Sequence, residues 1–584
     1  MTFLSRIMLL KSQAHFSTDV QRGGGPTMNG AAFKGTGKRK TELARKRVGL
    51  MIAGFVVAYG VIGGRLVQYG YAQPEVTSSI LPADRLMASR PDILDRNGEV
   101  LATDIRTVSL FAEPHKIVDP DEAVEKLATV LTDIDIKGTY KKLSNPNSHF
   151  QWLRRQLTPK QQSQILALGI PGIGFRPEKR RFYPGGSTAS HIVGYVNIDN
   201  RGMAGMEKYI DNQGLADLRD LGMTSNAPLE PVRLSIDLRV QNIVRDVLVN
   251  AIDKFKALGA GAIVIDANTG EVLGMGSLPD FDPNNPAASA QEGWLNRMTN
   301  GTFEMGSTFK TFTIAMGLDS GKISINDSVD ARYPIRIGGF TIKDFHGKHR
   351  ILTIPEVFQY SSNIGTAKVA DLVGTEGHKE FLTRLGLLSK VRTELPEVAM
   401  PSQPREWKKI NSITISFGHG VSTTPFQTAV AGVAMVNGGR LIEPTFLPRT
   451  REQAEQFSTQ VIQPSTSKDM RFLFETNGVK GSGRNARVEG FNVGGKTGTA
   501  DKVVNGRYVG DKNFNAFLAA FPIDDPKYVV LTFIDEPKTD KGNGAALAGT
   551  SAAPMAGEII RRSAAILGVE PKYGEDGSAL LVSY

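Results

Sequence analysis

The sequence predicts an α+β protein attached to a single membrane-spanning helix. Three observations lead there. An uncharged apolar run fills residues 48–64 directly after a basic cluster. Strand pairs joined by turns stand at both ends of residues 234–566, with helical segments between them. The region between, 72–230, has its own turns and short apolar runs. A chain of 584 residues supports two or three folded units. With 40% hydrophobic and 22% charged residues, wholesale disorder is excluded. Absence of cysteine excludes disulfides, thiolate metal sites and a cysteine nucleophile.

The N-terminal elements follow from charge. Residues 1–47 carry ten Lys or Arg against Asp19 and Glu42, so +8 of the net +10 resides there. The basic pI therefore reports a tail, and nucleic acid is not an expected partner. Residues 1–33, with Arg22-Gly-Gly-Gly-Pro26, read as a disordered tail. The span is expected at 48–67, long enough for a bilayer core at ~1.5 Å per residue. Lys38, Arg39, Lys40, Arg45, Lys46 and Arg47 precede it, so the positive-inside rule puts residues 1–47 in the cytoplasm and the rest outside. Gly70-Tyr71-Ala72 has the form of a cleavage site, but the apolar run begins late for a signal peptide. A single-pass anchor is the expectation.

Beyond the span, Asn97-Gly98 between Ile93-Leu94 and Val100-Leu101 is a hairpin signal. Residues 120–170 carry helical spacing. The unit 72–230 holds no grouping of nucleophile, base and orienting residue, so a structural or docking role is its default. From residue 234 the texture changes. Leu234-Ser235-Ile236-Asp237 precedes a helix through about 256. Strands at 262–265 and 272–275 flank the turn Ala267-Asn268-Thr269-Gly270. A second hairpin joins 514–521 to 528–534 through Asp524-Asp525-Pro526, a helix follows near 552–566, and 567–584 reads as a loose tail.

The chemistry lies in three short motifs in order: Ser307-Thr308-Phe309-Lys310, Ser361-Ser362-Asn363 and Lys496-Thr497-Gly498-Thr499. A serine hydroxyl needs an adjacent base. Ser307 and Lys310, three apart, share a helix face. Lys310 must be neutral to take a proton, and burial together with Lys496 would make it so. Thr353-Ile354-Pro355-Glu356 has capping-box form and opens a helix ending at Tyr360. Ser361 and Asn363 would lie on the loop beyond it, Ser361 relaying protons and Asn363 bonding a substrate amide and Lys310. Residues 493–500 read as an edge strand whose small residues admit an extended peptide. Lys496, Thr497 and Thr499 would bind a terminal carboxylate beside Gly498, and the Ser307 and Thr499 N–H groups would form an oxyanion hole. Ser465-Thr466-Ser467-Lys468 and Ser324-Ile325-Asn326 also fit the first two motifs. The former lies in a polar stretch expected to have no apolar helical run behind it, and the latter sits in a turn. The eight His show no ligand spacing, so neither metal nor cofactor is expected.

These motifs, with Arg90, Asp95-Arg96-Asn97-Gly98, Gly205-Met206-Glu207, Asn296-Arg297, Gly418-His419-Gly420 and Thr424-Pro425, resemble a class B penicillin-binding protein over residues 48–566. The resemblance implies a pedestal (dimerisation-type) domain at 72–230 and a penicillin-binding transpeptidase domain at 234–566, its antiparallel sheet covered by helices. It implies a periplasmic D,D-transpeptidase on the inner membrane that cross-links peptidoglycan stem peptides through an acyl-serine at Ser307 and is a target of β-lactams. Size, one anchor and pedestal length resemble the septal, FtsI-type subfamily, which implies an FtsW-type glycan polymerase and division proteins as partners. An elongation-specific class B enzyme is the alternative. His419 stands where relatives often carry Tyr and is assigned no catalytic role. A β-lactamase would need a deacylating carboxylate, and Glu394-Leu395-Pro396-Glu397 does not match the expected spacing. A β-lactam sensor would add spans and an HExxH motif, and a class A enzyme a glycosyltransferase domain; none is present.

Overall fold

A computed structural model describes residues 36–71, 90–215, 229–285, 287, 295–504, 506–539 and 546–573. It divides into two compact units, Met1–Asp84 and Arg85–Tyr584. The first unit contains one helix, Thr36–Tyr71, whose window Val48–Arg65 is apolar and wholly unburied. Leu50, Phe55, Val57 and Ile62 all project outward, as lipid-facing side chains do. It is the one helix among the described residues long and apolar enough to cross a membrane. The helix starts before the apolar run: residues 36–47, expected as part of the tail, are helical, as their Lys, Arg, Glu, Leu and Ala content favours. The disordered stretch expected at 1–33 and the segment 72–89 lie outside the described residues.

The second unit opens with a five-stranded sheet, β1 (Ile93–Leu94), β2 (Val100–Ala112), β3 (Gln151–Leu157), β4 (Ile173–Phe182) and β5 (Val232–Arg233). β1 and β2 form the expected hairpin. Gly98 takes a left-handed φ of 95°, and the Asp95 carboxylate accepts from the N–H groups of Asn97 (2.7 Å) and Glu99 (2.9 Å). β2 pairs antiparallel with both β3 and β4, and β5 returns parallel to β1. Helices Pro120–Val130, Ile136–Leu143 and Pro159–Ala167 bear out the helical spacing, but residues 151–157 between them are strand. That run is seven residues of mixed polarity, too short to show its own period beside helical neighbours.

A buried ionic cluster locks this region. Arg90 Nε meets Glu207 at 2.7 Å and its Nη1 meets Asp211 at 2.8 Å; Arg181 Nε meets the other Glu207 oxygen at 2.6 Å. The Arg90, Arg181 and Glu207 side chains have no solvent exposure. Asp95 then reaches across to accept from Leu238 N–H (3.0 Å), and Glu397 accepts from Gly205 N–H (3.1 Å). The sequence landmarks Arg90, Asp95–Gly98 and Gly205–Glu207 are thus the joints between the first sheet and the rest of the unit.

Asp237 caps the helix Leu238–Phe255, which leads into the second sheet. Its strands are β6 (Gly259–Asp266), β7 (Val272–Leu278), β14 (Gly494–Val504), β15 (Arg507–Phe521) and β16 (Tyr528–Asp535), ordered β14-β15-β16-β6-β7 and all antiparallel. Three short hairpins lie between: β8 (Ser328–Asp330) with β11 (Ile351–Thr353), β9 (Ile335–Ile337) with β10 (Phe340–Ile342), and β12 (Arg440–Ile442) with β13 (Ser458–Gln460). Every residue of β7 and nearly every one of β6 and β16 is buried, because both faces are covered. Leu248, Val264, Val530 and Ile560 fill one face, with the helices Leu238–Phe255 and Ala552–Ser563. Ile263, Leu531, Phe312 and Met435 fill the other, with the helices Lys310–Asp319, Pro425–Val436 and Pro464–Lys480. Each such side chain contributes roughly 1.5–3 kcal/mol. Gly276 lets the helix Leu238–Phe255 pack closely here, since a Cβ would come within 2.7 Å of the Leu248 side chain and push it aside.

One expectation is corrected in part. Residues 567–569 are tied down rather than loose: Val569 is buried and the Leu567 carbonyl accepts from Tyr528 O–H at 2.9 Å, whereas 570–573 are exposed and 574–584 lie outside the described residues. Ser465–Lys468 opens a largely polar helix, Pro464–Lys480, with Pro at its first turn presetting the backbone. Its Ser467 is spent on the Met435 carbonyl and Gly438 N–H.

Candidate active site

Ser307 lies in a tight 3-10 turn, Gly306–Phe309, that runs into the apolar helix Lys310–Asp319. The turn is wedged between two other backbones. A Cβ on Gly418 would overlap the Gly306 carbonyl, one on Gly306 would come within 2.5 Å of the Thr499 carbonyl, and one on Gly498 would overlap the Met305 carbonyl. Three motif glycines therefore bring three segments together at the nucleophile.

Lys310 Nζ lies 2.9 Å from Ser307 Oγ and 2.9 Å from Ser361 Oγ, and donates to the Ser361 carbonyl at 2.6 Å. Three contacts suit a neutral amine, which has two N–H groups and one lone pair. The lysine is 1% exposed. Burial is the main force holding its pKa well below the ordinary value, the Lys496 charge adds to it, and Asp344 opposes it. Lys496, wholly buried on β14, donates to Ser361 Oγ and to the Thr497 carbonyl, both at 3.1 Å. Burial brings its pKa down to about 7.

Ser361 follows the capped helix Ile354–Gln359 and holds a left-handed φ of 56°, a costly conformation for a non-glycine residue. The turn is kept by its neighbours. Ser362 caps the helix Asn363–Val373 and donates to Asp344 (2.8 Å), and the same carboxylate accepts from Ile364 N–H (2.9 Å). Asn363 opens that helix rather than lying in the loop. Its carboxamide donates to the Lys343 carbonyl at 2.9 Å, and among the described residues it makes no bond to Lys310.

β14 is an edge strand, as expected, braced by Asn477 donating to the Gly495 carbonyl (2.7 Å). Gly498 is pressed against the nucleophile turn. Thr497 Oγ1 donates to Ser482 Oγ (2.6 Å), and Thr499 Oγ1 accepts from Ala548 N–H (3.2 Å). The structure thus brings Ser307, Lys310, Ser361 and Lys496 into one hydrogen-bonded group, with Thr497, Gly498 and Thr499 along its β14 wall and Asn363 on its outer side. Asp344, Ser482 and Gly418 were not among the expected site residues. Only Gly418 had a signal, in the Gly418-His419-Gly420 motif.

His419 stacks edge-on against Tyr508 (5.5 Å), and burial first, then the Lys310 charge, lowers its pKa to about 4. It is therefore neutral near pH 7. Glu304 accepts from Gly420 N–H (2.8 Å) and from Tyr508 O–H (3.2 Å). Among the described residues no His, Asp and Glu cluster is arranged to hold a metal.

Comparison with known proteins agrees with this chemistry. The family described as "Penicillin binding protein transpeptidase domain" matches residues 260–561, and "Penicillin-binding Protein dimerisation domain" matches 85–215. The chain is 37% identical over 500 residues to the "Probable peptidoglycan D,D-transpeptidase FtsI" of Caulobacter vibrioides, covering 84% of this chain and 83% of that protein. It is 32% identical to the "Stage V sporulation protein D" of Bacillus subtilis, over 90% of this chain and 87% of that one. The "Peptidoglycan D,D-transpeptidase FtsI" of Escherichia coli K12 is 29% identical, over 93% and 96%. With both domains matched in order along a chain whose buried lysine touches a serine, the protein belongs to the penicillin-binding protein transpeptidase family.

Proposed function

We propose that this chain is a serine-type peptidoglycan D,D-transpeptidase that cross-links stem peptides during cell division. The observation that carries the reading is the position of the buried Lys310 amine, 2.9 Å from both Ser307 Oγ and Ser361 Oγ.

In the proposed sequence, neutral Lys310 takes the Ser307 proton as Oγ attacks the carbonyl of the penultimate D-Ala. The Ser307 and Thr499 N–H groups bear the oxyanion. The proton passes through Ser361 to the departing D-Ala amine as the peptide bond breaks, leaving an acyl-enzyme. An acceptor amine from a second stem then attacks, loses its proton along the same path, and releases Ser307. Lys496 acts first on Ser361 and keeps Lys310 neutral, while Thr497, Gly498 and Thr499 align the donor peptide along β14. Asn363 holds the outer wall and bonds the substrate amide. β-Lactams would enter the same route and stop at the acyl-enzyme.

The domain limits that accompany this reading are a cytoplasmic tail at 1–47, a membrane helix at 48–67, a pedestal at 72–230 and a catalytic domain at 234–566. The basic cluster ahead of the span supports an N-terminus in the cytoplasm and a catalytic domain on the periplasmic side. An FtsW-type glycan polymerase is the proposed partner, supported by the single anchor and pedestal.

The test is intact-protein mass of the full-length chain in detergent after incubation with benzylpenicillin, beside Ser307→Ala. A single stable adduct on the parent and none on the variant is expected. No adduct with intact drug would sink the acyl-serine reading; no adduct with hydrolysed drug would put a β-lactamase in its place.

A further inference from the structure

Between the nucleophile helix and the Ser361 turn the chain makes a short arm, residues 332–350. It is built on hairpin β9–β10 and leads through Lys343 and Asp344 into the contacts that hold Ser362 and Asn363. The inner face of the arm is anchored: Ile342 is buried, and Ile335 and Ile337 pack beside it against Ala367 and Ile413. Its outer face is the reverse. Tyr333 is 72% exposed, Phe340 67% and Phe345 79%. Three bulky rings left in water on and beside one anchored hairpin are the kind of exposed apolar surface that marks a contact site.

The charge on the arm is one-sided. It carries Arg332, Arg336, Lys343, Lys348 and Arg350 against a single acid, Asp344. Arg332 is paired with Asp330 and Arg350 with Glu356. Asp344 is committed to Ser362 and Ile364. Arg336, Lys343 and Lys348 form no ion pair among the described residues. Lys348 stands 4.8 Å over the ring of Tyr360, the residue directly before Ser361. Unpaired cations and exposed rings therefore flank the site on the same segment.

We propose that this arm is a docking surface for the anionic glycan strand that presents the stem peptides, the cations meeting stem carboxylates and the rings packing on sugar faces. The inference rests on the transpeptidase reading, since it gives the arm that reaction's substrate. An acidic strand complements the arm's charge, and a strand held there arrives beside Ser361 and Lys310.

The test uses the full-length chain in detergent and soluble, uncross-linked glycan strands with intact stems. Retention is measured against salt for the parent, for Arg336→Glu with Lys348→Glu, and for Arg336→Lys with Lys348→Arg. Charge reversal should weaken retention about tenfold and flatten its salt dependence. The charge-keeping variant should match the parent, and both should be acylated by benzylpenicillin within about twofold of it. Should charge reversal disturb folding, Phe340→Ser with Phe345→Ser is expected to weaken retention through the rings alone. Equal retention by parent and variants that still acylate would overturn the arm. So would arm-dependent binding to phosphatidylglycerol vesicles without binding to strands, which would make it a lipid contact. Loss of acylation in the parent itself is a separate readout and would remove the transpeptidase reading instead.

Discussion

Lys310 and Lys496 converge on one hydroxyl: Ser361 Oγ lies 2.9 Å from the first amine and 3.1 Å from the second. Two amines that close cannot both hold a proton cheaply in a buried site, so one must be neutral. Lys310, whose pKa is lowered by burial and also by the Lys496 charge, and which lies within reach of Ser307, is the one placed to accept a proton.

Truncating this group should grade the loss. Lys310→Met removes the base, and stopped-flow acylation by a chromogenic β-lactam should slow by about 10³-fold or more. Ser361→Ala keeps the carbonyl that binds Lys310 and removes only the shared hydroxyl, and should cost about 10²-fold.

Lys496 ties stability to pH. Its pKa falls from 10.5 when unfolded to about 7 in the fold. Between those values the unfolded chain binds the extra proton, so this lysine makes stability rise with pH through the window and fall toward pH 7. Lys496→Met deletes that dependence. Scanning calorimetry should find the variant's melting temperature gaining on the parent's as pH drops from 10.5 to 7, while its acylation is lost.

Gly418 and Gly438 form a matched pair for backbone strain, with φ of 92° and 88°. Nothing lies near a Cβ on Gly438, so Gly438→Ala should cost only about 1–2 kcal/mol and leave acylation unchanged. Gly418→Ala would push the Gly306 carbonyl and move Ser307. Acylation should fall about 100-fold even where the protein stays folded by circular dichroism.

The Arg90–Glu207–Arg181 cluster should be costly to break. Glu207→Gln leaves two buried guanidinium groups short of charge, and urea unfolding should register a loss of about 3–5 kcal/mol. Benzylpenicillin acylation of the folded fraction should be retained, since no member of the cluster touches Ser307.

What could be read in the sequence was what the chain keeps close. Ser307 and Lys310 are one helical turn apart, and Thr353 with Glu356 closes a capping box, so spacing alone announces both. The hairpins at Asn97-Gly98 and at 267–270 are equally local. Contacts between distant segments were silent. Asp344 supports Ser362 from 18 positions away, on a loop whose Ile-Lys-Asp has no motif form. The placement of Lys496 shows the same limit. As a motif lysine it reads as a carboxylate binder; folded, it is enclosed and turned to Ser361, because the packing of β14 against the nucleophile turn leaves its amine no path to solvent. Asn363 likewise read as a loop residue, although Ser362 ahead of it is an N-cap and starts the next helix.

The glycine contacts at 306, 418 and 498 constrain how this protein can evolve under antibiotic pressure. The backbone nearest the nucleophile has no spare volume, so a substitution there that hinders a drug also displaces the serine that builds the wall. Gly306, Gly418 and Gly498 are therefore closed as routes of change, and variation that spares the nucleophile has to fall on other positions. An inhibitor that draws its affinity from those carbonyls and N–H groups, rather than from the rim, leaves the organism the fewest single-step escapes.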